Sequence, residues 1–422
     1  MPVLLGCIAD DYTGATDLAN TLVRHGMRAV QLFGVPTPDT PVPNTDAVVI
    51  ALKTRTCPAE DAIAQSLAAL DWLRKAKARQ FFFKYCSTFD STPEGNIGPV
   101  TDALLDALGA DFTIACPAYP ENGRTLCHGH LFVGDQLLSE SGMKDHPLTP
   151  MTDANLVRVL QAQTPHEVGL APYHKVAAGA AALNWHMQSL REKGVRHVIV
   201  DALSENDLMR IGMAAEKLAL VTGGSGVALG LPENFRRAGV LNSEQNADDL
   251  PTVGGLAAVL AGSCSLATQA QVAEMQKTRP SFRIDPLELA RGKDQAAEAI
   301  RWAIPLLEDG PPLIYATAAA DEVRKAQGEL GRERAGALVE DCMAKIAREL
   351  VLHNVRKLVV AGGETAGAVV QALEIEGIEI GPQIDPGVPW TLSIGEPRVA
   401  LALKSGNFGK PDFFLKALRQ LK

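Results

Sequence analysis

One pattern limits what this chain can become: apolar runs of strand length alternate with segments of helical period along most of it. In the first half the runs are Val3 to Ile8, Ala29 to Phe33, Ala47 to Leu52, Phe81 to Tyr85, Phe112 to Cys116 and His197 to Val200. Between them lie amphipathic stretches such as Ala59 to Leu73 and Ile97 to Leu108, the second opened by Gly95 and Asn96. That alternation predicts a mainly parallel sheet with crossover helices on both faces. At 422 residues the chain is too long for one ordinary core. The polar, acidic segment Leu241 to Pro251 has no periodicity and is followed directly by the apolar Leu256 to Leu260, which places a domain boundary there and divides the chain into 1–250 and 251–422. Beyond it the alternation restarts, with strands near Leu313 to Ala316 and Lys357 to Val360 and helices near Ala296 to Leu307 and Arg334 to His353. The expected fold is α/β in two domains, each a mainly parallel sheet flanked by helices. One passage breaks the pattern: Pro117 to Pro150 is rich in Gly, His and Pro, its Gly134-Asp135 pair reads as a hairpin turn, and it forms an insertion with the character of a lid.

Composition excludes several classes. Hydrophobic residues at 46% and charged residues at 21% are the balance of a globular enzyme rather than of a disordered or fibrous chain. A net charge of −9, with no run of Lys or Arg, speaks against a nucleic-acid partner. Met1 to Ala9 has no basic n-region, and no apolar stretch approaches the ~20 residues of a membrane span. The expectation is a cytoplasmic protein with no membrane partner. Seven cysteines without a CxxC pair read as reduced thiols. Cys127, His128 and His130 form the one tight cluster, and two histidines on alternate strand residues can converge on a metal or equally line the outside of a hairpin.

The chemistry concentrates at strand ends. In Leu358-Val359-Val360-Ala361-Gly362-Gly363-Glu364-Thr365-Ala366-Gly367, paired glycines leave a strand and a helix begins. Glycine backbone can approach a ligand closely, and a helix N-terminus offers free N–H groups to phosphate oxygens; the same turn also serves simply to save space. Ala261-Gly262-Ser263-Cys264-Ser265-Leu266-Ala267-Thr268 repeats the arrangement with hydroxyls suited to N-capping, and Lys404-Ser405-Gly406-Asn407-Phe408-Gly409 adds a third glycine-bearing element in which Lys404 contributes charge. No GxxxxGK[ST] occurs, so nucleotide binding here is not of the Walker type.

In the first half, Ala9-Asp10-Asp11-Tyr12-Thr13-Gly14-Ala15-Thr16-Asp17 sets two adjacent acids at the end of the first strand, where open α/β sheets bind ligands. Asp10 or Thr13 is suited to capping the following helix, and one of the two acids is expected to do so, which leaves the other for substrate hydroxyls or, through water, Mg²⁺. Arg55 ends another strand and suits a carboxylate. The passage from Lys84 through Ser87 and Asp90 to Asn96 mixes cations, hydroxyls and acids as phosphoryl transfer requires, and reads otherwise as a loop that caps the next helix. Two weaker passages are Thr222 to Gly226, a cleft lining or a flexible interdomain turn, and Pro117 to Arg124, from which Asn122 and Arg124 reach toward an acceptor.

Together ADDYTGATD, DSTPEGN behind Lys84, CPAYPENGR, GSCS, AGGETAG and KSGNFG resemble the four-carbon acid sugar kinase family, two-domain bacterial kinases that use ATP to phosphorylate tetronates and their oxidised forms. The resemblance spans nearly the whole chain. FFFKYCSTFDSTPEGNIGP and HPLTPMTDANLVRVLQ are similar to the branch acting on 3-oxo-tetronate, which makes 3-dehydrotetronate 4-phosphate. The threonate and erythronate branch is the alternative; it tends to carry Arg where this chain has Glu94. The resemblance implies that the N-terminal domain holds the sugar acid, the C-terminal domain holds ATP with Mg²⁺, and transfer occurs in the cleft between them. It places ATP contacts on Ser263, Ser265, Gly362, Gly363, Glu364, Thr365 and Gly406, and acceptor contacts on Asp11, Arg55, Lys84, Ser87 and Asp90. Arg55 and Lys84 would neutralise the substrate carboxylate, and Asp11 or Asp90 would orient its terminal hydroxyl. A homodimer is left open. Two rivals come from other classes. An NAD(P)-dependent oxidoreductase would need a GxGxxG after the first strand, which is absent; a two-lobed sugar-acid binding protein would bind the acid without ATP turnover.

Overall fold

A computed structural model describes residues 3–146, 148–242 and 246–420. Residues 243–245 of the expected linker and Pro147 of the 117–150 passage lie outside the described residues. The chain divides into two compact units, Met1–Ala247 and Asp248–Lys422.

The strands of the first unit are β1 (Leu5–Ala9), β2 (Ala29–Phe33), β3 (Ala47–Ala51), β4 (Gln80–Lys84), β5 (Thr113–Cys116), β6 (Arg124–Cys127), β7 (His130–Val133), β8 (Gln136–Leu137), β9 (Val168–Ala171), β10 (His197–Val200) and β11 (Leu220–Gly223). Eight of them pair in the order β2-β3-β1-β4-β11-β5-β10-β9, every pair parallel. β1, β3 and β4 are buried at every residue, as strands covered by helices on both faces must be. These three are adjacent, so the segments leaving their carboxyl ends, Asp10–Asp11, Leu52–Arg55 and Tyr85–Asp90, are brought side by side.

The passage Thr222 to Gly226 is no flexible turn. Thr222 and Gly223 end β11, which lies between β4 and β5, and Ser225–Gly230 forms a 3₁₀ helix. Its glycines are demanded by packing: a Cβ on Gly223, Gly224 or Gly226 would stand 2.2, 2.6 or 2.4 Å from the carbonyl oxygens of Cys116, Pro117 and Ala118. In the insertion, β6, β7 and β8 form an antiparallel meander, with Gly134 and Asp135 turning between β7 and β8. Leu126 and Ala202 exchange backbone hydrogen bonds of 2.9 Å, and His130 bridges to Asn155, so the meander is anchored to the unit. His128 sits in the β6–β7 turn at φ +50° rather than on a strand face with His130, and among the described residues no three His, Cys, Asp or Glu side chains are placed so that they could hold a metal ion.

The second unit contains β12 (Leu256–Ala261), β13 (Ser281–Arg283), β14 (Leu313–Tyr315), β15 (Val355–Ala361), β16 (Gly377–Asp385), β17 (Val388–Ser393) and β18 (Ala400–Lys404). Their order is β13-β14-β12-β15-β18-β17-β16; pairing is parallel as far as β18 and antiparallel from there. The core gathers Trp390, Phe413 and Phe414 against Val259, Leu313 and Val359, and the Trp390 indole donates to the Ala417 carbonyl at 3.2 Å. The helix expected over Ala296 to Leu307 runs from Gln295 to Ala303 and tightens into a 3₁₀ turn at Ile304, where Pro305 removes a donor. All seven cysteines are free thiols, and no described helix is long and apolar enough to cross a membrane.

Candidate active site

At the strand ends of the first unit Asp11, and not Asp10 or Thr13, caps the helix Tyr12–Arg24, accepting from Gly14 N–H at 3.1 Å. Asp10 turns inward. Arg55 donates to it twice, from Nε at 2.9 Å and from Nη2 at 2.8 Å, and Nη2 also meets Asp11 Oδ1 at 2.5 Å. Asp90 Oδ2 lies 3.7 Å from Arg55 Nη1. Arg55 therefore spends its fork on three protein carboxylates. The loop carrying it is fixed in place by Asn96, whose side-chain amide donates to the carbonyls of Thr54 (2.7 Å) and Cys57 (2.9 Å).

Burial pushes the Asp10 carboxyl up, against Arg55, which favours its ionised form. Burial also works against the Asp11 carboxylate, but Arg55 and Lys84 outweigh it and hold Asp11 below the usual range. The guanidinium, desolvated but gripped by both acids, stays charged throughout. With bidentate geometry on Asp10, the arrangement is that of an ion pair. Lys84 is 3% exposed; its ammonium donates to Tyr85 O at 2.8 Å and faces the first helical turn, where a Cβ on Gly14 would come within 2.7 Å of Nζ.

Asp90 is placed by unusual backbone. Phe89 and Asp90 take φ +66° and +42°, a region disfavoured for a side chain as bulky as Phe89 and tolerated better by Asp90, and both are buried. Thr88 Oγ1 donates to Asp90 Oδ1 at 2.6 Å, which fixes the carboxylate and leaves Oδ2 with only the longer Arg55 contact. Ser87 lies partly exposed in the same turn. Asp10, Thr54, Arg55, Asp90, Ser91 and Asn96 line a narrow recess together with Phe83, Ile97 and Val100. Arg124 gives its Nη1 to the Asn122 carbonyl at 2.6 Å, and Glu94 is exposed with Thr92 Oγ1 on its carboxylate.

In the second unit the three glycine-bearing turns leave the adjacent strands β12, β15 and β18 and pack on one another. A Cβ on Gly262 would stand 2.1 Å from Thr365 Oγ1; on Gly362, 3.1 Å from Ser263 N; on Gly406, 2.4 Å from Ser263 Oγ. Gly362 holds φ +123°, a conformation suited only to glycine, and the helix Gly363–Ala372 starts immediately after it. Its first residues, Gly363 and Glu364, are exposed, and nothing lies within 4 Å of where a Gly363 Cβ would be. Thus the free N–H groups of a helix start face open space. Ser265 caps the neighbouring helix Leu266–Gln276. Its hydroxyl also donates to Gly406 O at 2.6 Å, a carbonyl that further accepts from Thr268 Oγ1 (2.9 Å) and Lys404 Nζ (2.8 Å).

Lys404 is the residue at this knot that sequence reading undervalued. It is 1% exposed, and its ammonium donates to Thr268 Oγ1 and to the Ser405 and Gly406 carbonyls, all neutral oxygens, so desolvation brings its pKa down from 10.5 to about 8. Between those two values the folded state releases the proton before the unfolded state does, so this group's contribution to stability rises with pH across that window. Lys404→Met, compared with wild type by denaturant unfolding at pH 7.5 and 9.5, should lack a rise on the order of 1–2 kcal/mol. Equal pH slopes would contradict the buried cation.

One unit thus presents carboxylates and cations at the ends of adjacent strands, and the other presents open helix-start amides among three close-packed turns. Residues 5–231 match the sugar-binding N-terminal domain family and residues 258–414 the nucleotide-binding C-terminal domain family. The chain belongs to the four-carbon acid sugar kinase family, in which these two domains are joined. It is 62% identical over 418 residues to a Burkholderia multivorans protein named 3-oxo-tetronate kinase, covering 99% of this chain and 97% of that one. A Cupriavidus necator protein of the same name is 60% identical over 421 residues, again 99% and 97% of the two chains. Among solved structures, one from Salmonella typhimurium LT2 matches at 44% identity with a TM-score of 0.92, covering 99% of each chain. One from Haemophilus influenzae matches at 44% identity with a TM-score of 0.88, covering 99% of this chain and 100% of that one.

Proposed function

We propose that the protein is an ATP-dependent 3-oxo-tetronate kinase, transferring the γ-phosphoryl group of ATP to the terminal hydroxyl to give 3-dehydrotetronate 4-phosphate and ADP. The observation that carries this reading is the near-full-length identity to proteins of that name, 62% to the Burkholderia multivorans protein. The geometry supports a division of labour in which Gly362, Gly363 and Thr365, with Ser263, Ser265 and Gly406, cradle the phosphates, and the first unit receives the acid. Glu364, exposed in the first helical turn, is the carboxylate suited to hold the Mg²⁺ of MgATP. The metal would neutralise charge on the phosphates. Asp90 orients the acceptor hydroxyl, because one of its oxygens is held by Thr88 and the other is only loosely engaged. Asp11 is committed to the helix cap and Arg55. Such chemistry depends on positioning more than on a strong base, which suits an acid locked by its backbone. The reaction belongs in the cytoplasm, where ATP is available.

ADP release measured with 3-oxo-tetronate, threonate and erythronate in turn tests the reading. The oxidised acid should give the highest kcat/KM, by roughly tenfold or more for a site that hydrogen-bonds the 3-oxo oxygen. Preference for either reduced acid would move the protein to the other branch of the family.

A further inference from the structure

The charges at the strand ends of the first unit do not favour an anion there. Asp10, Asp11 and Asp90 surround Arg55, which donates to Asp10 at 2.9 and 2.8 Å and to Asp11 at 2.5 Å and lies 3.7 Å from Asp90. Lys84 is buried, hydrogen-bonded to Tyr85 O, and shares the fields of Asp10, Asp11 and Asp17. Three acids, Asp10, Asp11 and Asp90, thus stand against the two cations Arg55 and Lys84. A substrate carboxylate arriving there would add to a surplus of like charge, whereas substrate hydroxyls, as donors, suit carboxylate acceptors.

One cation stands outside this balance. Lys53 is exposed and lies two residues before Arg55 in the segment leaving β3. Its two neighbours are fastened beside the acids: Leu52 N donates to Ala9 O at 2.8 Å and Thr54 N to Asp10 O at 2.9 Å. Lys53 Nζ lies 4.8 Å from the centre of the Tyr12 ring, directly after Asp11. A cation–π contact of this kind holds an ammonium in place while leaving its N–H groups open to an anion. We propose that Lys53, steadied over Tyr12, reads the substrate's carboxylate, and that Arg55 and Lys84 hold the aspartates that receive its hydroxyls. The inference rests on the sugar-acid kinase reading and adds a residue that sets its preference for acids.

Steady-state kinetics of the full chain with 3-oxo-tetronate, and with erythrulose as the analogue bearing CH₂OH in place of the carboxylate, tests it in wild type, Lys53→Met and Lys53→Arg. Lys53→Met should raise the KM for 3-oxo-tetronate about 10- to 100-fold, the worth of a charged hydrogen bond, while the KM for ATP and any activity toward erythrulose stay unchanged. Lys53→Arg should remain within a few-fold of wild type. An unchanged 3-oxo-tetronate KM in Lys53→Met, beside an active wild type, overturns this inference alone. Absence of wild-type turnover of 3-oxo-tetronate overturns the functional reading and the inference with it.

Discussion

Arg55→Ala is expected to lose both stability and activity. The substitution leaves Asp10, 5% exposed, and the helix-capping Asp11 without the guanidinium that compensates them. Removing one partner from a buried ion pair costs about 3–5 kcal/mol, because the remaining charge stays desolvated. Chemical denaturation should show a loss of that size, and ADP release should fall by more than about 100-fold as the aspartates lose their orientation. Arg55→Lys should recover only part, since a lysine cannot make the bidentate contact. Asp10→Asn placed on Arg55→Ala should restore stability without activity, because it removes the stranded charge and leaves the site disassembled. A fully stable, active Arg55→Ala would sink the three-carboxylate arrangement.

Gly262→Ala carries the second large effect. Its new methyl would stand 2.1 Å from Thr365 Oγ1, 3.1 Å from Thr365 Cβ and 3.2 Å from Thr365 Cγ2. Thr365 Cβ itself stands at 3.1 Å, a contact that no rotation of the side chain relieves, so the turn after β15 has to move. Displacements of about 1 Å in a positioning element cost on the order of 100-fold in rate, so kcat/KM for ATP should fall by that order while the KM for the acceptor holds. Thr365→Ala added to Gly262→Ala should recover part of the loss by removing two of the three crowding atoms, Oγ1 and Cγ2. Equal damage to the two substrates' constants would show a general folding defect instead of a nucleotide-site effect.

Much of this fold could be read from the chain because its strands advertise themselves. β2 and β10 coincide with apolar runs in the sequence, and β1, β3 and β4 shift by one or two residues, within the usual fraying of strand ends. β11 escaped notice for a physical reason: it is a four-residue strand ending in Gly223 with Gly224 directly after it, and glycine pairs ordinarily mark turns, whereas here they admit a neighbouring backbone. The antiparallel course of β16 to β18 was likewise invisible, since pairing direction is a property of tertiary approach rather than of local pattern. At the candidate site, sequence reading picked out Asp11, Arg55, Lys84 and Asp90, and the fold brings them to neighbouring strand ends. Their roles were less legible. That Arg55 is already occupied follows from side-chain directions, and the left-handed backbone at Phe89 has no glycine or asparagine to announce it. Lys404 read only as a charge added to the third glycine-bearing element; its burial at the end of β18 is decided by helices distant in sequence and could not be read.

The most direct measurement is a crystal structure of the protein grown with MgADP and 3-oxo-tetronate. The account predicts the phosphates against Gly362, Gly363 and Ser263 in the second unit, and the acid in the first unit near Asp90 with its carboxylate toward Lys53. Nucleotide lodged beside Asp10 and Tyr12, with the second unit's turns empty, would contradict it.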